Sequence, residues 1–217
     1  MSDDATSRLT RKGRATRARI IDVAARLMFE RGVGGTSIDE VRGAATVSGS
    51  QMSHYFDGKR DLTRNVIGAR RNYVREFHTQ LGKLDSFAAL DAWVEATLAD
   101  LDPVYRVGGC VYGSLAGELV EADAEIHGDL ADGYDQWIEL FQRGLAEMRR
   151  RGDLRPDADP RHLAVSLVTA HQGGALVTFL TDDPEPLRAA LTGAVEYVRS
   201  YAAAPKRRRS GPRKQTG

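Results

Sequence analysis

Groups able to do covalent or metal chemistry are sparse and scattered along this chain. The five histidines (His54, His78, His127, His162, His171) and the single cysteine, Cys110, show no spacing that would close a metal site. The glycine-rich stretches GVGGTS (residues 32–37) and GGCVYG (residues 108–113) follow helical or coil patterns rather than strands, so neither reads as a phosphate loop. No serine sits in a nucleophile-elbow context. The expectation is a protein that is not an enzyme, with no catalytic residue, no metal and no cofactor. Binding chemistry, by contrast, concentrates in VSGSQMSHYFDGKRDL, residues 47–62, where small polar side chains run into an aromatic pair and a short charged run. Gly49, Ser50, Gln51, Ser53 and His54 make a surface that can approach a groove closely, and Gln51 has the atoms to pair with adenine in a bidentate manner. His54 or Tyr55 can donate to phosphate, and Ser48 opens a helix N-terminus, a natural anion site.

Helices must carry these residues. Ile20, Val23, Ala24, Leu27 and Met28 fall on one helical face, and Gly32 follows as a stop. Two capping boxes overlap next, Thr36 with Asp39 or Ser37 with Glu40, the second being the stricter match. Ser48 with Gln51 restarts a helix by the same logic after a tight turn over residues 45–48. Two short helices joined in this way form a helix-turn-helix unit, with Val41, Ala45, Val47, Met52 and Phe56 as its inner face. Downstream, apolar stripes predict helices over about residues 59–81, 87–101, 111–120, 126–151, 159–181 and 184–201, with Pro103 breaking the pattern after the second. No strand alternation stands out. The fold class is all-α with about nine helices.

Charge divides the chain. Residues 1–60 hold 11 Lys+Arg against 7 Asp+Glu, residues 61–204 hold 14 against 23, and residues 205–217 hold 6 basic side chains and no acid. A basic head on an acidic body suggests that the head meets a polyanion. Residues 8–19 carry six basic residues and no acid, including Arg14 and Arg17, and read as an arm that tracks DNA. The tail with Lys206, Arg207, Arg208, Arg209, Arg213 and Lys214 reads equally as a second DNA tail or a solubilising end. The longest apolar runs look shorter than the ~20 residues of a bilayer span, there is no signal-peptide pattern, and one cysteine fits a reducing, cytoplasmic setting.

Thr36, Ala44-Ala45, Val47-Ser48, His54-Tyr55-Phe56, Lys59 and Leu62 stand at the spacing of the DNA-binding region of the TetR/AcrR family, which residues 36–62 resemble. The resemblance implies that Thr36 and Lys59 contact phosphates at the two ends of the unit while Ser50, Gln51 and His54 face the groove. The chain departs from the family pattern at Thr46, where a turn glycine is usual, at Ser50, where many relatives have Gly, and at Ser53, where a phosphate-contacting Tyr is common. The first departure makes the turn either strained or not left-handed there. DNA-binding residues are thus expected at Arg14, Arg17, Thr36, Ser48, Ser50, Gln51, Ser53, His54, Tyr55 and Lys59.

The stretch GGCVYGSLAGEL (residues 108–119) and the Trp137 stripe resemble the LmrA/YxaF-like branch of the family. That implies a body that senses a small molecule and dimerises. Candidate pocket residues are Trp93, Cys110, Tyr112, Tyr134, Trp137 and Phe141, with His171 and Gln172 as polar contacts. Each aromatic reads more plainly as core packing, and Cys110 as a small buried hydrophobe rather than a redox sensor. Leu163, Leu167, Ala170, Gly174 and Val177 on one helix, and Leu187, Ala190, Leu191, Ala194, Val195 and Val198 on the last, form the expected dimer interface, a four-helix bundle about a two-fold axis. The domain plan is a disordered basic arm (1–13), a three-helix DNA-binding domain (14–62), an effector and dimerisation domain (63–201) and a disordered basic tail (202–217). The expected partners are double-stranded operator DNA, a second copy of the chain and a small-molecule effector, with no membrane. The implied function is a one-component transcriptional regulator, a repressor first of all, that binds a palindromic operator as a dimer and is released by its effector. A DNA-binding protein without effector control, or an activator, is the alternative, and an enzyme the remote one.

Overall fold

The computed structural model describes residues 9–119 and 124–204; the cations of the tail, Arg8 and Val120 lie outside the described residues. Among the described residues, nine helices of seven residues or more follow one another: α1 (Arg11–Arg31), α2 (Ile38–Ala44), α3 (Gly49–Tyr55), α4 (Gly58–Gln80), α5 (Phe87–Ala99), α6 (Gly113–Leu119), α7 (Ala124–Arg151), α8 (Pro160–Thr181) and α9 (Glu185–Arg199). Among the described residues the only β pairing is one antiparallel bridge, Leu154 with Ala202.

Local chemistry sets most boundaries. Gly32 ends α1 at φ 76°. Ser37 and Glu40 form the reciprocal capping box that starts α2, and Ser48 with Gln51 the one that starts α3. Asp159 accepts from the amides of Arg161 and His162, and Pro160 occupies the first turn of α8, where its missing N–H costs nothing. Pro103 does not simply end α5. It lies inside a π-turn, Leu101–Tyr105, that runs into a single α-turn, Arg106–Gly108.

Two expected boundaries move. Residues 11–13, assigned to a disordered arm, are the first turn of α1, because the Thr10 hydroxyl accepts from the Gly13 amide at 3.1 Å and caps the helix. At the other end, residues 202 and 203 are not free tail: Ala202 pairs with Leu154, and the Ala203 amide donates to the Asp153 carbonyl at 2.9 Å.

Two cores result. Ile20, Ala24, Met28, Val41, Ala45, Val47, Met52, Phe56, Leu62 and Val66 pack α1–α3 against the start of α4, with Leu115 of α6 joining them. The second core fills the body, centred on Trp93, Trp137, Phe141, Leu145, Leu163, Leu167, Leu187 and Leu191. Helix α4 belongs to both.

Most of the residues predicted for a dimer interface on α8 and α9 do not point outward. Leu163, Leu167, Leu187, Leu191 and Val198 are at most 1% exposed within one chain, and Val195 and Ala194 are buried as well. A Cβ on Gly174 would lie 2.9 Å from Leu187 Cα, so this glycine lets α9 of the same chain come close, while Gly173 faces open space. These residues close the monomer's own core. Of the predicted set only Val177 lies exposed, and Ala170 and Ala190 are half-buried. The outward face of α8 is apolar in its own right: Leu176, Val177, Phe179 and Leu180 are 40–71% exposed. With apolar residues on both faces over 22 residues, α8 also has the length and composition of a membrane span, contrary to the reading of short apolar runs. Here one face is buried in the body core.

Candidate nucleic-acid interface and ligand chamber

The turn between α2 and α3 is a Schellman motif. The Val47 amide donates to the Arg42 carbonyl at 3.2 Å and the Thr46 amide to that of Gly43 at 3.1 Å. The motif needs a left-handed residue, and Thr46 sits at φ 51°. The strained alternative therefore holds: a β-branched residue in the left-handed region costs roughly 1–2 kcal/mol. Thr46→Gly should raise stability by about 1 kcal/mol, after the greater entropy of the unfolded glycine is subtracted. Urea unfolding of the two proteins side by side measures it.

Helix α3 is held by Met52 and Phe56 and turns the other side to solvent. Ser48, Gly49, Ser50, Gln51, Ser53 and His54 are all exposed. Tyr55 is half-buried and edge-on to His54, and its hydroxyl lies 3.4 Å from where a Gly13 Cβ would stand, so the end of α3 abuts the start of α1. There Arg11, Lys12 and Arg14 are exposed, with no acid in the first turn. Cations at the positive end of a helix are unfavourable on their own account. An anionic partner reverses that sign.

Several predicted contacts already have protein partners. Thr36 is 2% exposed and its hydroxyl donates to the Gly32 carbonyl at 2.9 Å; it closes the end of α1 and is not available to phosphate as it stands. The Arg17 guanidinium lies over the Phe56 ring at 5.3 Å and donates to Asn65 Oδ1, tying α1 to α4. Gln51 Oε1 accepts the Ser48 amide at 3.0 Å, while Ser48 Oγ accepts the Gln51 amide at 3.1 Å. Bidentate pairing of Gln51 with adenine would require leaving this cap, and the Ser48 amide is not a free anion donor. Ser50 Oγ lies 2.9 Å from Ser48 Oγ, Ser53 Oγ donates to the Gly49 carbonyl, and Lys59 Nζ reaches the Gly34 carbonyl at 3.5 Å. Arg11 and Lys12 belong to the basic stretch read as tracking DNA but were not among the individual contacts expected, and their exposure makes them interface candidates beside Arg14.

In the body, α4, α5, the π-turn, α7 and α8 line a half-open chamber, about 430 Å³ of free space with the open solvent at its mouth counted in. Of the residues predicted to line it, Trp93, Cys110, Trp137 and His171 do so. Tyr112 does not: it is 1% exposed, and its hydroxyl donates to the Leu130 carbonyl at 2.8 Å beneath Gly133. Phe141 packs behind Trp93 at 4.8 Å, Tyr134 stacks against Trp137, and Gln172 donates to Cys110 Sγ at 3.4 Å from behind the wall. Tyr73, Val74, Phe77, His78, Thr97, Asp100, Val104, Tyr105 and Val111 complete the lining and were not foreseen.

Two buried histidines shape the chamber. Trp137 Nε1 donates to His78 Nε2 at 3.0 Å, which leaves His78 Nδ1 to donate to the Val74 carbonyl at 2.7 Å. Both nitrogens of the neutral ring are thus satisfied, and burial pushes the pKa down to about 4. His171 Nε2 lies 2.8 Å from the Tyr105 hydroxyl; burial, helped by the nearby His78, lowers its pKa to about 3. Both folded values lie below the unfolded one, so as pH falls the unfolded chain takes up protons first. The stability they confer is complete above pH 6.5 and is lost between there and about pH 4 to 3, on the order of 3 kcal/mol per histidine. Thermal unfolding between pH 7 and 4 should show a steep fall, and His171→Gln a shallower one.

Comparison with known proteins agrees with this geometry. Residues 20–66 match the family model described as bacterial regulatory proteins, tetR family, and residues 86–194 the Tetracyclin repressor-like, C-terminal domain. The HTH-type transcriptional repressor DhaR of Mycobacterium sp. (strain GP1) is 25% identical over 188 residues, covering 84% of this chain and 91% of that protein. A TetR transcriptional regulator from Chloroflexus aurantiacus superposes with a TM-score of 0.77 over 90% of this chain and 100% of its own, at 22% identity. The reduced form of E. coli NemR gives 0.74 over 88% and 99%, at 21% identity. With both domains matched in order, and the capped helix pair inside the first, the chain belongs to the TetR family of DNA-binding transcriptional regulators.

Proposed function

We propose that the chain is a repressor that binds a palindromic operator as a dimer and leaves it when a small molecule fills the chamber. The carrying observation is that one helix serves both places. Helix α4 starts beside α3, with Lys59 in its first turn, and lines the chamber near its other end with Tyr73, Val74, Phe77 and His78. A second tie runs through α6, whose Glu118 carboxylate accepts the amides of Val33 and Gly34, each at 2.6 Å, just before the helix-turn-helix. Cys110 and Val111, which lead into α6, are chamber wall. An occupant that moves the wall can therefore tilt α4 and pull on the turn after α1. For release, it must bind the released form more tightly than the DNA-bound one.

The second copy would dock on the outward faces of α8 and α9: Gly173, Leu176, Val177 and Leu180 with Gly193 and Tyr197, all exposed. Burying such a patch is the main drive for association. Two recognition helices related by a two-fold axis would then enter major grooves about one helical turn, or a multiple of it, apart. Footprinting on the protein's own promoter tests this. Two-fold symmetric protection by a species that sediments as a dimer is expected. Protection of a single half-site, or Leu176→Glu, Leu180→Glu remaining dimeric, contradicts it.

Glu118 gives a separate check. Glu118→Ala should speed amide exchange at Val33 and Gly34 at least about tenfold, since each loses a charge-assisted bond worth roughly 1.5 kcal/mol or more. Hydrogen exchange followed by NMR reads both amides directly.

A further inference from the structure

The chamber wall includes Trp93, a residue with no exposed surface, whose buried indole Nε1–H has no hydrogen-bond partner among the described residues. Leaving such a donor unsatisfied costs about 1–3 kcal/mol, and native interiors rarely tolerate it without a reason. The same wall holds Trp137, Tyr105 and the two neutral histidines, His78 and His171, and among the described residues Asp100 is its only charged member. Among the described residues no lysine or arginine lines this space. Resting on the effector-controlled reading above, we propose that the chamber takes a small uncharged molecule whose carbonyl-type oxygen accepts the Trp93 indole N–H.

The chemistry discriminates among ligand classes. An anion would face Asp100 and two histidines that burial keeps unprotonated, with no cation to receive it. An ammonium would find Asp100 and the aromatic rings but would leave the Trp93 donor unpaired. A pure hydrocarbon would fill the space and also leave it unpaired. A neutral acceptor satisfies the orphan and exploits the aromatic walls, and Tyr105, hydrogen-bonded to His171, lies within the same wall to orient it.

Both tryptophans of the chain belong to this wall, so two indole N–H signals report the chamber. Protein labelled with ¹⁵N-tryptophan would be titrated with cyclohexanone, methylcyclohexane, cyclohexylammonium and cyclohexanecarboxylate, with Trp93→Phe or Trp137→Phe assigning the pair. The ketone should move the Trp93 indole proton downfield and bind about tenfold more tightly than each of the other three, as one added hydrogen bond implies. Trp93→Phe should lower its affinity to that of the hydrocarbon. Equal binding of ketone and hydrocarbon, preference for a charged member, or an unmoved Trp93 signal would overturn the inference. If the ketone binds as stated but operator affinity does not change on saturation, the ligand class stands and effector control fails. If the ketone fails here while promoter binding holds, the inference alone is lost.

Discussion

Removing three cations from the first turns of α1, as Arg11→Ala, Lys12→Ala, Arg14→Ala, should reduce operator affinity at least a hundredfold at physiological salt. Each phosphate contact contributes about 0.9 to the slope of log affinity against log salt. Three contacts per protomer, six per dimer, therefore flatten that slope by about five. The fold should not suffer. These side chains are exposed, and they sit at the positive end of a helix that has no acid in its first turn, so their removal is neutral or mildly stabilising. The opposite signs make the test sharp. Weaker DNA binding with an unchanged or higher melting temperature identifies the arm as part of the interface, whereas loss of both would make it structural.

Gly144→Ala should cost about 3 kcal/mol or more and leave the body poorly folded. This glycine lies on α7 where the chain between α4 and α5 crosses it, and a Cβ there would stand 1.9 Å from the Leu84 carbonyl oxygen and 2.5 Å from its carbon. The obstacle is backbone, which cannot rotate away as a side chain can. Relief requires moving α7 away from Leu84, itself 5% exposed in the body core; overpacking costs roughly 1–3 kcal/mol, and a backbone obstacle puts this case at the upper end or beyond. Gly128→Ala in the same helix is the control. Nothing lies within 4 Å of its Cβ position, so the better helix former should add about 0.5–1 kcal/mol. Chemical denaturation of the two variants should move in opposite directions.

The helices were largely legible because their signals are local. Ser37 with Glu40, Ser48 with Gln51, Gly32 and Asp159-Pro160 each act within four residues, and each sits where the sequence pattern placed it. Sites were less legible because they depend on which face of a helix meets what. Gln51 was offered two roles by its sequence context, cap and base reader, and the cap holds it. Thr36 fits the family's motif by position, yet burial turns its hydroxyl inward. On α8 the apolar residues surround the helix, so periodicity could not tell Leu163 and Leu167, which face the core, from Leu176 and Leu180, which face out. His78 becomes meaningful only through Trp137, 59 residues away, and Tyr105 only through a π-turn that no apolar pattern announces.

The most direct measurement is fluorescence anisotropy of the protein with its own promoter DNA, and with a shuffled duplex of the same composition, across a salt series. The account predicts tight binding to the promoter sequence, a steep loss with salt, and affinity for the shuffled duplex lower by a thousandfold or more, the usual margin of a specific DNA-binding protein. Equal affinity for the two duplexes would contradict it, because then the exposed polar face of α3 reads no sequence and only the cations of α1 hold DNA.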